Sequence, residues 1–146
     1  MRLTDSAQIC GRLRIWVRKN GELVERFDEH NLIVDGAKIS MAHLAGGDIG
    51  SRSISKVAFG TNGTAPAASD VAITEPYEKD VDSVEYPQDG QVTFHFSLGS
   101  SEANGKQIRE FGLLCADGTL FARRIRSEAL AKEQDITIDG EWTIAF

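Results

Sequence analysis

Asn20-Gly21 stands between two runs that alternate apolar and polar residues, and few local signals restrict a fold more tightly. Both central residues of a type I′ turn need φ > 0, which Asn and Gly tolerate, and that turn matches the twist of an antiparallel strand pair. Before it, Gly11-Arg12-Leu13-Arg14-Ile15-Trp16-Val17-Arg18 puts Leu13, Ile15 and Val17 on one face and Arg12, Arg14, Trp16 and Arg18 on the other. After it, Leu23-Val24-Glu25-Arg26-Phe27 returns, so the spacing predicts a β-hairpin. Trp16 then has two readings: a lid over arginine stems, or an anchor for a partner chain.

Further strands follow at similar intervals. Val92, Phe94, Phe96 and Leu98 make a strict period-2 face, which places His95 away from the core as a surface residue. Residues 76–86, 108–115 and 119–125 read as strands joined by turns such as Asp117-Gly118, with a loop and a helical turn expected over 127–134. Residues 135–139 and 141–146 read as strand, brief Gly140 turn and strand. One helix interrupts this plan. Asp35-Gly36 occupies an N-cap position, Ala37, Met41 and Leu44 recur at helical spacing over 36–45, and Gly46-Gly47 supplies the stop. The predicted fold is mainly β, an antiparallel two-layer β-sandwich of about seven to nine strands with one short α-helix whose Met41 and Leu44 side docks on it. A chain of 146 residues, 41% hydrophobic and 26% charged, is long enough for one core without staples. Residues 1–8 carry little periodicity and read as a flexible N-terminal arm, and 9–146 as a single domain. The two cysteines, Cys10 and Cys115, lie in apolar strand contexts and read as buried thiols rather than a disulfide.

Charge and motif exclude several function classes. The formal net charge of −6 disfavours broad contact with phosphate backbones, and of the C-terminal cluster Arg109, Arg123, Arg124 and Arg126 the alternation over 121–126 reads as the wet face of a strand; no nucleic-acid partner is expected. No segment approaches the roughly 20 apolar residues of a membrane span, and no signal-like apolar region follows Met1, so no membrane association is expected and synthesis is expected in the cytoplasm. His30, His43 and His95 lack ligand spacing, and Asp80, Asp82, Asp135 and Asp139 lack a calcium donor set, so no metal is expected. The glycine-rich stretch over 60–70 has no Lys after a final Gly and leads into no helix, which excludes a phosphate cradle and leaves no cofactor implied. Catalysis has only Glu110 and Asp117 as weak candidates, so no enzymatic activity is expected. Trp16, Tyr77, Tyr86 and Trp142 make a small carbohydrate-binding or receptor-binding sandwich the alternative, with Trp142 already on an expected core strand.

The order of motifs carries a resemblance. His30-Asn31-Leu32-Ile33-Val34-Asp35-Gly36-Ala37-Lys38 is followed by a small helix and then by I-x-x-V-A-F-G-T-x-G-T-A-P-A-x-x-D-x-A-I-T from Ile54. Ile108-Arg109-Glu110-Phe111-Gly112-Leu113-Leu114, Leu120-Phe121-Ala122-Arg123 and the closing Trp142-Thr143-Ile144-Ala145-Phe146 complete the pattern. Together they cover over half of the chain and resemble a module of tail proteins of bacteriophages and phage-like elements, of the tail-fibre and baseplate-associated type. That resemblance implies a structural virion component of the tail (baseplate, collar or tail-fibre adaptor), used in tail assembly and host attachment. It also implies partners among other tail or baseplate subunits and a homo-oligomer in the particle. Where tail fibres continue into a shaft, this sequence stops at Phe146, which favours an adaptor. The candidate contact residues are Trp16, Thr61, Asn62, Thr64 and Pro66, the last four in the loop that belongs to the shared pattern, for which packing within the domain is the alternative reading, completed by the arm over residues 1–8.

Overall fold

The computed structural model describes residues 8–146, so the expected arm lies outside the described residues except for Gln8, which is exposed. Among the described residues are nine strands and one helix: β1 Cys10–Lys19, β2 Glu22–Ile33, α1 Asp35–Ala45, β3 Ile54–Gly60, β4 Tyr77–Asp80, β5 Ser83–Glu85, β6 Gln91–Leu98, β7 Gln107–Cys115, β8 Leu120–Ala131 and β9 Ile136–Ala145. The fold is mainly β, every pairing is antiparallel, and the strand order is β4-β3-β7-β8-β2-β1-β9-β6-β5.

In place of two separate sheets, hydrogen bonding makes one nine-stranded sheet that curls into a half-barrel. β2 is the hinge of this continuity. Its residues from Glu22 to Asn31 pair with β1, while Leu32 and Ile33 cross to pair with Arg123 and Ala122 of β8. The core fills the concave side, with Leu13, Ile15 and Val17 of β1, Phe94, Phe96 and Leu98 of β6 and Trp142 of β9 facing Phe59 of β3 and Phe111 and Leu113 of β7. Phe59 sits edge-to-face on both Phe96 and Phe111, with ring centroids 5.9 Å apart in each pair. The first turn is as expected, with φ of 52° at Asn20 and 83° at Gly21.

Three local expectations are corrected. β9 runs straight through Gly140, which pairs with Ile15 on one side and Phe96 on the other. A Cβ at that position would stand 2.1 Å from Phe96 Cζ, so the glycine marks where a ring presses on the backbone, not where the chain turns. β8 continues as strand to Ala131, because Leu130 and Ala131 pair with Ile108 and Gln107, and Lys132 beyond it is buried with its Nζ donating to Asn104 Oδ1 at 2.8 Å. Cys10 is exposed, since Leu13, Ile15 and Val17 fix the parity of β1 and Cys10 falls on the side of Arg12; Cys115 is buried, and both are free thiols.

The helix starts one residue earlier than its sequence implied. Val34 is the N-cap and makes no side-chain cap bond, while Asp35 lies in the first turn, where a carboxylate suits the positive end of the helix. Ala37 and Ser40 form its buried side, with Ser40 Oγ 3.3 Å from Cys115 Sγ; Met41 and Leu44 are half-buried.

Candidate functional site

Strand parity places the site on the convex side of the sheet. On β7, Phe111 and Leu113 belong to the main core, so Glu110, Gly112 and Leu114 face outward, and Arg123 of β8 joins them. The chain leaving β3 at Gly60 crosses this outer face as a loop over residues 61–76. It brings a second, smaller core with it: Ile73 packs with Val34, Ala58, Leu114 and Leu120. The seat is flat because Gly112 has no side chain; a Cβ there would lie 2.5 Å from Ile73 Cγ1.

An irregular loop laid on a sheet buries backbone groups that need partners. A charged pair beneath it supplies them. Glu110 is 0% and Arg123 2% exposed, and Arg123 Nε donates to Glu110 Oε2 at 2.7 Å. Glu110 Oε1 accepts the Thr74 N–H at 2.6 Å and the Asn62 N–H at 3.3 Å. Arg123 Nη1 donates to Thr64 O and to Asp70 Oδ2, both at 3.0 Å, and Nη2 to Asn62 O at 2.9 Å. Burying two charges is costly unless their remaining donors and acceptors are used, and here they are used on both ends of one loop. Inside the loop, Asn62 Oδ1 accepts from Thr64 N at 2.9 Å and Asp70 Oδ2 from Ala67 N at 2.9 Å, while Ala68 O accepts from Asp35 N of α1 at 2.8 Å.

The loop therefore presents a backed surface. Thr64, Ala65, Ala67 and Ala68 are exposed, Thr61, Asn62 and Pro66 half-buried. Between the loop and α1 lies a shallow hollow of about 400 Å³. Beside it Val71 and Ile39 are 82% and 54% exposed. Trp16 does not join this set: it belongs to β1, with β2 between it and β8, opposite Arg26 and Asp139, and none of the bonds that hold the loop reaches it.

The remaining candidates are engaged otherwise. Arg123 and Arg126 are buried, not on a wet face; Arg126 pairs with Glu25, Arg124 with Glu29, and Arg109 donates to Arg126 O and Ser127 O. β2 and the loop supply the carboxylates that pair with Arg123, Arg124 and Arg126 apart from Glu110 of β7, and no local reading of β8 contains them. Glu110 has both oxygens committed and no exposure, so it offers nothing to a substrate. Asp117 caps its own turn, and the Thr119 N–H at 3.0 Å holds its carboxyl below the usual carboxylate range. Burial pushes the Cys115 thiol up, which keeps it protonated and inert. His43 meets Asp48 at 2.7 Å and His95 meets Glu85 at 2.9 Å. Among the described residues no group of three or more His, Cys, Asp or Glu is arranged to hold a metal ion. Trp142 is fully buried, its Nε1 donating to Asn31 Oδ1 at 2.8 Å, so its ring cannot stack on a sugar; Tyr77 is half-buried with its hydroxyl donating to Glu102 Oε2 at 3.4 Å, and Tyr86 is exposed. Among the described residues, no helix is long and apolar enough to cross a membrane.

Sequence reasoning missed the clamp, although a signal for it exists. Glu110 and Arg123 stand in runs, Ile108-Arg109-Glu110-Phe111-Gly112-Leu113-Leu114 and Leu120-Phe121-Ala122-Arg123, that are apolar at both parities. A charge in a strand covered on both faces must have a buried partner. Comparison of the chain with family models, with curated proteins and with solved structures returns no match.

Proposed function

We propose that the protein is a structural component of a bacteriophage-type tail, an adaptor, collar or baseplate-associated subunit that joins other tail subunits in several copies and contributes to host attachment. One observation carries this reading. The pieces of sequence that resemble the tail module, Gly60-Thr61-Asn62-Gly63-Thr64-Ala65-Pro66 on one side and the strands bearing Glu110 and Arg123 on the other, form a single physical unit in which the second clamps the first. A loop held at its backbone keeps its outward side chains in place without a regular strand or helix, and such preorganisation lowers the entropy lost on docking. Its exposed residues are small, with Val71 and Ile39 alongside, and repeated use of one such patch closes rings or trimers from a single short chain. In the same reading the two arms of the curled sheet serve as the layers of a sandwich, with Phe59 and Phe96 meeting between them.

The test uses the bacterium that produces the particles. Ala65→Arg places a charge on the exposed loop and is expected to leave thermal stability within about 0.5 kcal/mol of the parent, yet to be missing from purified tails. Incorporation of this variant at the parent level would remove the loop from the interface. Absence of the parent protein itself from purified particles would overturn the tail assignment.

A further inference from the structure

The two edges of the sheet come from one continuous stretch of chain. β4 ends at Asp80, paired with Lys56 of β3, and β5 begins at Ser83, paired with His95 of β6. The link is pinned to both arms: Val81 N donates to Ser55 O at 3.0 Å and Asp82 N to His95 O at 2.7 Å. Beyond that pin β5 follows β6 and leaves β3, so a wedge opens along the seam of the half-barrel. It is an apolar hollow of about 580 Å³, lined by Met41 and Leu44 of α1, Ile54 of β3, Val84 and Tyr86 at β5, and Phe146. Val84, Tyr86 and Phe146 are 44%, 78% and 59% exposed.

Two properties define what fits this wedge. β5 is the last strand on its side of the sheet, so its outer backbone groups have no strand partner among the described residues. The stretch 78–89 carries five carboxylates, Glu78, Asp80, Asp82, Glu85 and Asp89, against the single ammonium of Lys79. Lys79 is bound to Glu102, and Glu78, Asp80 and Asp89 are exposed without an ion pair among the described residues. We infer that the seam is a docking groove for an extended, basic segment of a partner protein, which adds a strand to β5 and places an aliphatic or aromatic side chain in the hollow. Main-chain bonds to the free edge supply generic affinity, the hollow selects the apolar residue, and the acidic rim selects flanking Lys or Arg. The same rim disfavours a second copy of this chain pairing through its own 78–89 stretch, because like charges would face each other. The inference concerns a surface away from the 61–76 loop and does not depend on the tail assignment.

The test uses a short capped peptide that alternates Thr with Val and Phe and carries Lys near each end, with a twin bearing Glu for Lys. The Lys peptide is expected to bind the full chain at least about 10-fold more tightly than its twin, and the difference is expected to shrink between low and high salt. Amide shifts should centre on residues 82–86 and on Ile54, and Val84→Lys should abolish binding at an unchanged melting temperature. Equal affinity for the two peptides, no binding of either, or shifts centred elsewhere would overturn the inference. Dimerisation of the free chain that Val84→Lys abolishes would assign the groove to a second copy instead. Binding that appears only after residues 1–7 are deleted would assign it to the chain's own segment.

Discussion

At Gly140 the concave core presses directly on the backbone, with the Phe96 ring covering the face where a Cβ would stand. Gly140→Ala should therefore overpack the core and cost about 1–3 kcal/mol, although alanine is the better strand residue by propensity. Phe96→Ala should cost about 3–5 kcal/mol, and His95→Ala far less, since His95 faces out toward Glu85 and Glu141. In the double variant the cost of Gly140→Ala should vanish, because the ring it meets is gone; urea midpoints that simply add would show that Gly140 is not held small by Phe96. The clamp is a second residue-scale case. Glu110→Gln leaves the buried Arg123 guanidinium with Asp70, at 3.0 Å, as its remaining counter-charge, an expected loss of about 3 kcal/mol, accompanied by faster hydrogen exchange at Thr74 and Asn62, whose N–H groups bond Glu110 Oε1. Parity made Leu13, Ile15, Val17, Phe94, Phe96 and Leu98 legible as core. It could not separate a turn glycine from a contact glycine at 140, nor tell that Arg123 lies under a loop. Both depend on a residue remote in the sequence.

Among the elements, α1 shows how burial outranks pattern. Its apolar spacing points to Met41 and Leu44, yet the close approach to the sheet is made by Gly36, Ala37 and Ser40, where small residues let the helix lie against β8. A Cβ at Gly36 would stand 2.4 Å from Leu120 O. Helix propensity predicts that Gly36→Ala stabilises by up to about 1 kcal/mol; the contact predicts the opposite sign, a loss of about 1–3 kcal/mol from the forced shift. Thermal denaturation decides between them, and a raised melting temperature would mean that the helix end is loosely seated. Leu44→Asp, on the half-buried side at the seam, should cost less than burying a charge in the main core would. Three hairpins were readable because Asn20-Gly21, Asp89-Gly90 and Asp117-Gly118 punctuate the chain, whereas residues 76–86, which read as one strand, divide into β4 and β5 on opposite edges of the sheet because their partners are β3 and β6. The end of β8 was not readable either, because Leu130 and Ala131 are strand only through their pairing with Ile108 and Gln107.

For the whole molecule, alternation and turn signals pointed to antiparallel strands around one core, but not that β2 changes partners and joins the two expected layers into one sheet. A change of partner at Leu32 leaves no mark on the local apolar pattern. On the opposite side, where Val81 and Asp82 pin the link to both arms, β4 is braced by Glu102, in the turn after β6, whose carboxylate accepts Lys79 Nζ of β4 at 2.8 and 3.0 Å and the Gly99 N–H at 2.8 Å. The Lys79 bond above all, with the Gly99 N–H, holds this carboxyl below its usual range; the Arg12 guanidinium does the same for Asp28, and the Thr119 N–H for Asp117. In each case the unfolded chain binds the proton more readily than the folded one, so stability rises with pH across the interval between the two values. The contribution is complete above the unfolded value of about 4 and is lost as pH falls through the lower folded values. Urea midpoints should thus be level from about pH 6 to pH 8 and fall below about pH 4.5. Glu102→Gln should cost about 1 kcal/mol at pH 7 and approach the parent in acid, below the unfolded value of about 4, as the parent's carboxyl takes up its proton. If the variant is equally impaired at neutral pH and in acid, the charge on Glu102 is not what holds β4 to the turn, and the brace rests on shape and neutral hydrogen bonds alone.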